Sequence, residues 1–132
     1  MRRIVLTLLA LGSLLLIVNA AARQRQQQRV PCGGEGTQFE ANQCAHREYL
    51  AADAELNRVY KQLASRLEGE EERAKLKDAE TAWIGYRDAN CEYEAFFYRG
   101  GTMRPLIQSF CLARVTKARA AELKQQIEDQ KQ

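Results

Sequence analysis

Trp83-Ile84-Gly85-Tyr86-Arg87-Asp88-Ala89-Asn90-Cys91 is the stretch whose reading decides the fold. It carries the chain's only tryptophan, an adjacent Arg–Asp pair and one of its four cysteines, all inside a helical pattern. Large aromatics, opposite charges and a cross-linking residue within a few turns suit a buried polar layer of a small bundle, where each charge must find a partner. Gly85 weakens such a helix by about 1 kcal/mol relative to Ala and points to a close helix–helix approach.

Upstream and downstream of this stretch, Leu76, Ala79, Trp83, Tyr86, Asn90, Tyr93 and Phe97 recur at helical spacing and form one stripe. Glu70-Glu71-Glu72 opens the helix with negative charge at the positive end of its macrodipole. The preceding helix starts at Thr37-Gln38-Phe39-Glu40, a capping-box pattern, and its stripe runs Tyr49, Ala52, Leu56, Val59, Leu63, Leu67 to a stop at Gly69. Gly100-Gly101 closes the middle helix. Thr102 is then the expected cap of a third, with Pro105 in its first turn and Phe110, Ala113, Thr116, Ala120, Leu123 and Ile127 inside. No strand pattern or internal repeat is visible. Three long helices with two short connections imply an all-α, up-down-up three-helix bundle.

The ends of the chain have a different character. Met1-Arg2-Arg3 followed by the apolar run Ile4 to Val18 and the small residues at Asn19-Ala20 reads as a signal peptide over residues 1–20. Residues 21–36 begin with an Arg- and Gln-rich stretch that reads as a disordered polar leader, and residues 37–129 form the helical domain. Removing Arg2 and Arg3 takes the net charge from +3 to +1, 18 basic against 17 acidic residues. A near-neutral exported chain without a dominant basic face excludes nucleic acid as its ligand class, and nothing after signal cleavage would hold it in a membrane.

Cys32, Cys44, Cys91 and Cys111 all follow the signal peptide, and an even count in an exported chain reads as two disulfides. Cys44 lies 25 residues before Gly69 and Cys91 lies 22 after it. At ~1.5 Å per residue both stand about 33–38 Å from that turn, with Cys111 near the same height. The expectation is therefore that Cys44 meets either Cys91 or Cys111, and Cys32 takes the other. Zinc has no support: no pair has CxxC spacing and His46 is the only histidine. No cofactor is called for either.

The same counting sets Asp53 within a turn of Arg87, Arg119 near Trp83 and Thr116 near Tyr86. A middle layer of Asp53, Asn57, Trp83, Arg87, Asp88, Thr116 and Arg119 follows, either a site or a device that fixes helix register. Catalysis lacks its parts. His46 sits near a helix start, Ser65 and Ser109 have no nucleophile context, and the carboxylates lie on solvated faces. The loops are better contact candidates: the acidic Glu70, Glu71, Glu72 end for steering, and the aromatic-flanked Arg99, Gly100, Gly101, Thr102 loop for insertion.

Together these segments resemble the LprI-like family, also described as the DUF1311 domain. Ala52-Asp53-Ala54-Glu55-Leu56-Asn57-Arg58-Val59-Tyr60 is similar to its AD-xx-LN-xx-Y segment. Trp83, Tyr86, Arg87, Asp88 and Cys91 match its W-xx-YRD-xx-C signature, and Gly100-Gly101-Thr102 stands where the family often has GGS. Cys111-Leu112, Thr116, Arg119 and Glu122-Leu123 are similar to the closing C-L-xxx-T-xx-R-xx-EL. The likeness spans about Cys32 to Lys124. It implies a bacterial envelope protein with a non-catalytic role, binding and inhibiting a lysozyme-type muramidase such as c-type lysozyme by occluding its cleft. A structural or adaptor module of the envelope with another protein partner is the alternative. The family's name comes from a lipoprotein, but Pro31 sits before Cys32 where a lipobox needs a small residue, so a soluble periplasmic or secreted protein is expected.

Overall fold

The computed structural model describes Cys32 and residues 36–130; the expected signal peptide and nearly all of the expected polar leader lie outside the described residues. The helices belong to one compact unit, residues 35–132. They are α1 (Gln38–Ala64), α2 (Glu70–Phe96) and α3 (Arg104–Asp129), and no strand occurs among the described residues.

The helix ends follow local chemistry, not always at the expected residue. Thr37 caps α1 as expected: its N–H donates to Glu40 Oε2 at 2.7 Å while its Oγ1 accepts from the Glu40 N–H at 3.3 Å. The α1 stripe stops earlier than Gly69. The helix ends at Ala64, and the Arg66 and Leu67 N–H groups turn back onto Leu63 and Ala64 carbonyls in tighter bonds. Gly69 instead starts α2, its N–H donating to Glu72 Oε2 at 3.3 Å. Thr102 does not cap α3; Met103 holds that position without a side-chain bond, and Pro105 sits in the first turn as expected. Gly100 has φ +79°, and the Gly101 N–H closes onto Tyr98 O at 3.1 Å, a turn that needs a residue free of Cβ strain.

Cross-helix pairs fix the topology. Glu48–Lys117 and Glu55–Lys124 join α1 to α3 one heptad apart in the same direction, so these two helices run parallel. Arg104–Glu92, Cys91–Cys111 and Arg119–Glu80 join α3 to α2 in opposite order, so α2 runs antiparallel. This is the up-down-up bundle, and it is unevenly packed. Leu56, Val59 and Leu63 of α1 meet Ala120, Leu123 and Ile127 of α3 in one apolar cluster, with Tyr60, Leu76 and Trp83 against its edge. α2 packs chiefly on α3 and approaches α1 only sparsely.

The inner face of α2 corrects the predicted stripe. Glu80, Arg87, Cys91 and Ala95 are its buried residues, whereas Ala79, Tyr86, Tyr93 and Phe97 face solvent. Both stripes have helical periodicity, and hydrophobicity alone selects the wrong phase when the buried charges are paired. Gly85 is likewise not a close-approach point among the described residues, since a Cβ there would meet none of them within 4 Å.

The cysteine expectation is also overturned. Cys91 and Cys111 bond to each other, Cα–Cα 5.4 Å, across α2 and α3. Cys32 and Cys44 are each disulfide-bonded as well, and neither pairs with Cys91 or Cys111. Height along the bundle was the right measure for Cys91 and Cys111, but it carries no information on which way each side chain faces around its helix.

Candidate functional site

The polar layer forms between the helices as two ion-pair groups on either side of Trp83. In the first, Arg87 comes from the buried face of α2 and is 8% exposed. Its Nε donates to Asp88 Oδ1 at 2.8 Å and its Nη1 to Asp53 Oδ1 of α1 at 3.4 Å. Asn57, one turn after Asp53, donates from Nδ2 to Asp53 Oδ2 at 3.0 Å and to its carbonyl at 2.9 Å, which holds the carboxylate in place. Burial alone would lower the Arg87 pKa; the Asp88 hydrogen bond and the Tyr49, Asp88 and Asp53 groups outweigh it, so the pKa is raised and the guanidinium stays charged.

In the second group, Arg119 of α3 pairs with Glu80 of α2, Nε to Oε2 at 3.0 Å, with both side chains largely buried. Glu122 adds a bond to Arg119 Nη1 at 3.1 Å from the solvent side. Trp83 connects the groups: the Arg87 and Arg119 guanidinium carbons lie 5.4 and 6.0 Å from its ring centroid. Arg87 also lies 5.7 Å from the Tyr49 ring. Each such contact is worth about 0.5–2 kcal/mol, more with less water around it.

Asp53, Asn57, Trp83, Arg87, Asp88 and Arg119 thus lie together around one layer. Thr116 does not join them. It is fully buried, and its Oγ1 has no hydrogen-bond partner among the described residues, so it packs in the bundle as an apolar group would and takes no part in the network. Glu80 and Tyr49 were missed. The signal for Glu80 was present, because it precedes Trp83 by three and Arg87 by seven residues, on one face of the helix.

A cleft of about 220 Å³ opens over this layer between α1 and α2, lined by Asp53, Asn57, Tyr60, Glu80, Arg87 and neighbours. Pockets that enclose a small molecule usually start near ~300 Å³ and present polar groups to it. Here Arg87 and Glu80 are each consumed by partners inside the bundle. The arrangement joins three helices through paired charges and offers no nucleophile–base pair among the described residues. Among the described residues no group of His, Cys, Asp and Glu could hold a metal ion.

The two loop candidates sit at opposite ends of α2, about 40 Å apart at ~1.5 Å per residue. Glu70, Glu71 and Glu72 are exposed in its first turn. Arg99, Gly100, Gly101 and Thr102 are exposed as well, but this loop is held firmly. Asn42 of α1 donates to Thr102 O at 3.0 Å, and the Cys91–Cys111 bridge ties the two flanking helices. Arg99 lies 4.3 Å over the Phe96 ring, and Phe97 and Tyr98 remain exposed beside it.

The family model described as lysozyme inhibitor LprI matches residues 31–123, well over half of the chain. The chain belongs to the LprI family. The matched span contains both ion-pair groups and both loops. The family's description is that of an inhibitor, which puts a lysozyme-directed protein interaction, not catalysis, at the level of the family. The chain is also 40% identical over 128 residues to an uncharacterized protein of Rhizobium meliloti (strain 1021), covering 88% of this chain and 91% of that one. Among solved structures it is similar to a DUF1311 family protein from Pseudomonas putida KT2440. The TM-score there is 0.60 at 24% identity, over 64% of this chain and 87% of the other, a likeness of fold.

Proposed function

We propose that this LprI-family protein is exported and inhibits a lysozyme-type muramidase by binding over its cleft. Family membership across residues 31–123 is the observation that carries this reading. The disulfides favour an oxidising compartment outside the cytoplasm, and no helix among the described residues is long and apolar enough to cross a membrane. The fold supplies a rigid presenter. The Arg99–Thr102 turn stands at the tip of two cross-linked helices with Tyr98 and Phe97 exposed beside it, an Arg-and-aromatic composition typical of interface anchors. The acidic first turn of α2 is the second contact, by attraction to a basic enzyme.

The test is lysis of a peptidoglycan suspension by c-type lysozyme with increasing amounts of the disulfide-intact protein. Saturable, near-stoichiometric inhibition is expected, and chitooligosaccharide filling the cleft should compete with it. Arg99→Ala should weaken inhibition about tenfold or more as an anchor residue. Reversing Glu70, Glu71 and Glu72 to Lys should act mainly on the association rate and disappear at high salt. Absence of inhibition at large excess would rule out the muramidase reading.

A further inference from the structure

Among the described residues, the outward face of α2 has no counterpart. Ala79, Ala82, Tyr86, Ala89, Tyr93 and Phe96 are all exposed and alternate at spacings of three and four, the a/d repeat of a helix that packs against another helix. Tyr86, Tyr93 and Phe96 are 60%, 65% and 49% exposed, and neighbouring Phe97 is 70% exposed. Gly85 lies beside this stripe, weakens the helix, and has only open space where its Cβ would be. It is a position where another helix can come close.

We infer that this stripe is a homodimer interface in which two copies pair α2 against α2 in antiparallel, two-fold fashion. Three observations select a second copy as the occupant. The first is size. A two-fold between Tyr86 and Ala89 sets Tyr86 against the other copy's Ala89, Ala82 against its Tyr93 and Ala79 against its Phe96, so every large residue meets a small one. Such self-complementarity is what a two-fold interface demands of a single surface.

The second is charge. The stripe ends at Arg99, stacked on Phe96, and begins beside Asp78 and the Glu70–Glu72 turn, with Lys75 interleaved. In this register antiparallel pairing opposes the two macrodipoles and sets Arg99 across from Leu76 beside the other copy's Asp78, leaving the Glu70–Glu72 turn beyond the edge of the contact; parallel pairing would align the macrodipoles. The third is area. Buried aromatics bury ~150–250 Å² each, so four rings exposed to this degree offer on the order of 500 Å² per chain. Two copies would hide on the order of 1,000 Å², the lower limit of a stable interface.

The experiment uses the protein recovered from an exporting host with both disulfides intact, and measures its mass by light scattering and sedimentation across the micromolar range. A concentration-dependent rise to twice the chain mass is expected. Tyr93→Glu should abolish it, and Ala82→Tyr should weaken it about ten- to hundredfold by overfilling the pair. The double variant Ala82→Tyr with Tyr93→Ala exchanges large for small and should return the affinity to near the starting value. All these positions are exposed, so helix content by circular dichroism should not change. A chain that stays monomeric throughout the range overturns the dimer, as does a dimer indifferent to Tyr93→Glu. Failure of the double variant to recover overturns the antiparallel register.

Discussion

The bundle's two main interfaces are built from different materials. Between α1 and α3, Leu56, Val59, Leu63, Ala120, Leu123 and Ile127 form a dry apolar seam. Between α2 and α3 the contact is a buried ion pair, a disulfide, and small residues such as Ala95. Apolar burial is favourable without geometric precision, whereas a buried Arg–Glu pair roughly offsets its own desolvation and is valuable mainly for alignment. The α1–α3 seam therefore supplies stability, and α2 is positioned more than it is glued.

The largest effect should come from the seam. Leu123, fully buried at its centre, should cost about 3–5 kcal/mol when cut to Ala, read as a lower midpoint in urea with unchanged slope. Replacing Cys91 and Cys111 by Ala opens a cross-link over a separation of 20 residues and should cost about 3 kcal/mol. Its signature differs from the first: hydrogen exchange should rise in α2 while α1 and α3 stay protected. Equal loss of protection in all three helices would erase the distinction between the interfaces.

Next comes Glu80→Leu, which leaves Arg119 with only the exposed Glu122 and should cost about 2–3 kcal/mol. Adding Arg119→Met should recover most of that, because removing both charges ends the desolvation penalty. A double variant as unstable as the single would mean that the pair contributes more than alignment. The smallest effect lies on the α1–α3 side. Hydrogen bonds from Arg58 and Lys124 hold the Glu55 carboxyl at about 2, below its ordinary 4.5. The folded value is the lower one, so the contribution is complete above about 4.5 and is lost as pH falls toward about 2. The stability difference between the protein and Glu55→Gln should accordingly be present at neutral pH and vanish at the acid end.

The sequence made the apolar half of this contrast readable and hid the polar half. Leu56, Val59, Leu63, Ala120, Leu123 and Ile127 all lie on the predicted inner faces, because apolar residues at helical spacing announce a seam directly. In α2 the aromatics Tyr86, Tyr93 and Phe97 drew the stripe to the wrong side, since hydropathy cannot show that Glu80 and Arg87 have partners on other helices. Counting levels along the helices partly compensated, placing Asp53, Asn57, Trp83, Arg87, Asp88 and Arg119 around one layer. Thr116 was drawn in by its polar atom, although its methyl and its position on α3 determine where it goes. The disulfide pairing was illegible for a related reason: rise along a helix can be counted, but rotation about it depends on the face that is buried.

An odd number of antiparallel passes leaves the helical unit with its two ends far apart. The Gln38 start of α1 lies at the level of the Arg99–Thr102 turn, marked by the Asn42–Thr102 bond, while the Asp129 end of α3 lies by the acidic turn, marked by Arg66 bonding Ile127 O at 3.2 Å. A copy tethered through its C-terminal tail would therefore stand upright, with Glu70–Glu72 near the support and Arg99 about 40 Å out in solution. Tethering by the opposite end inverts the display. Immobilised protein on a sensor surface thus has a directionality, and capture of an enzyme from one orientation but not the other would locate the contacting tip without any mutation.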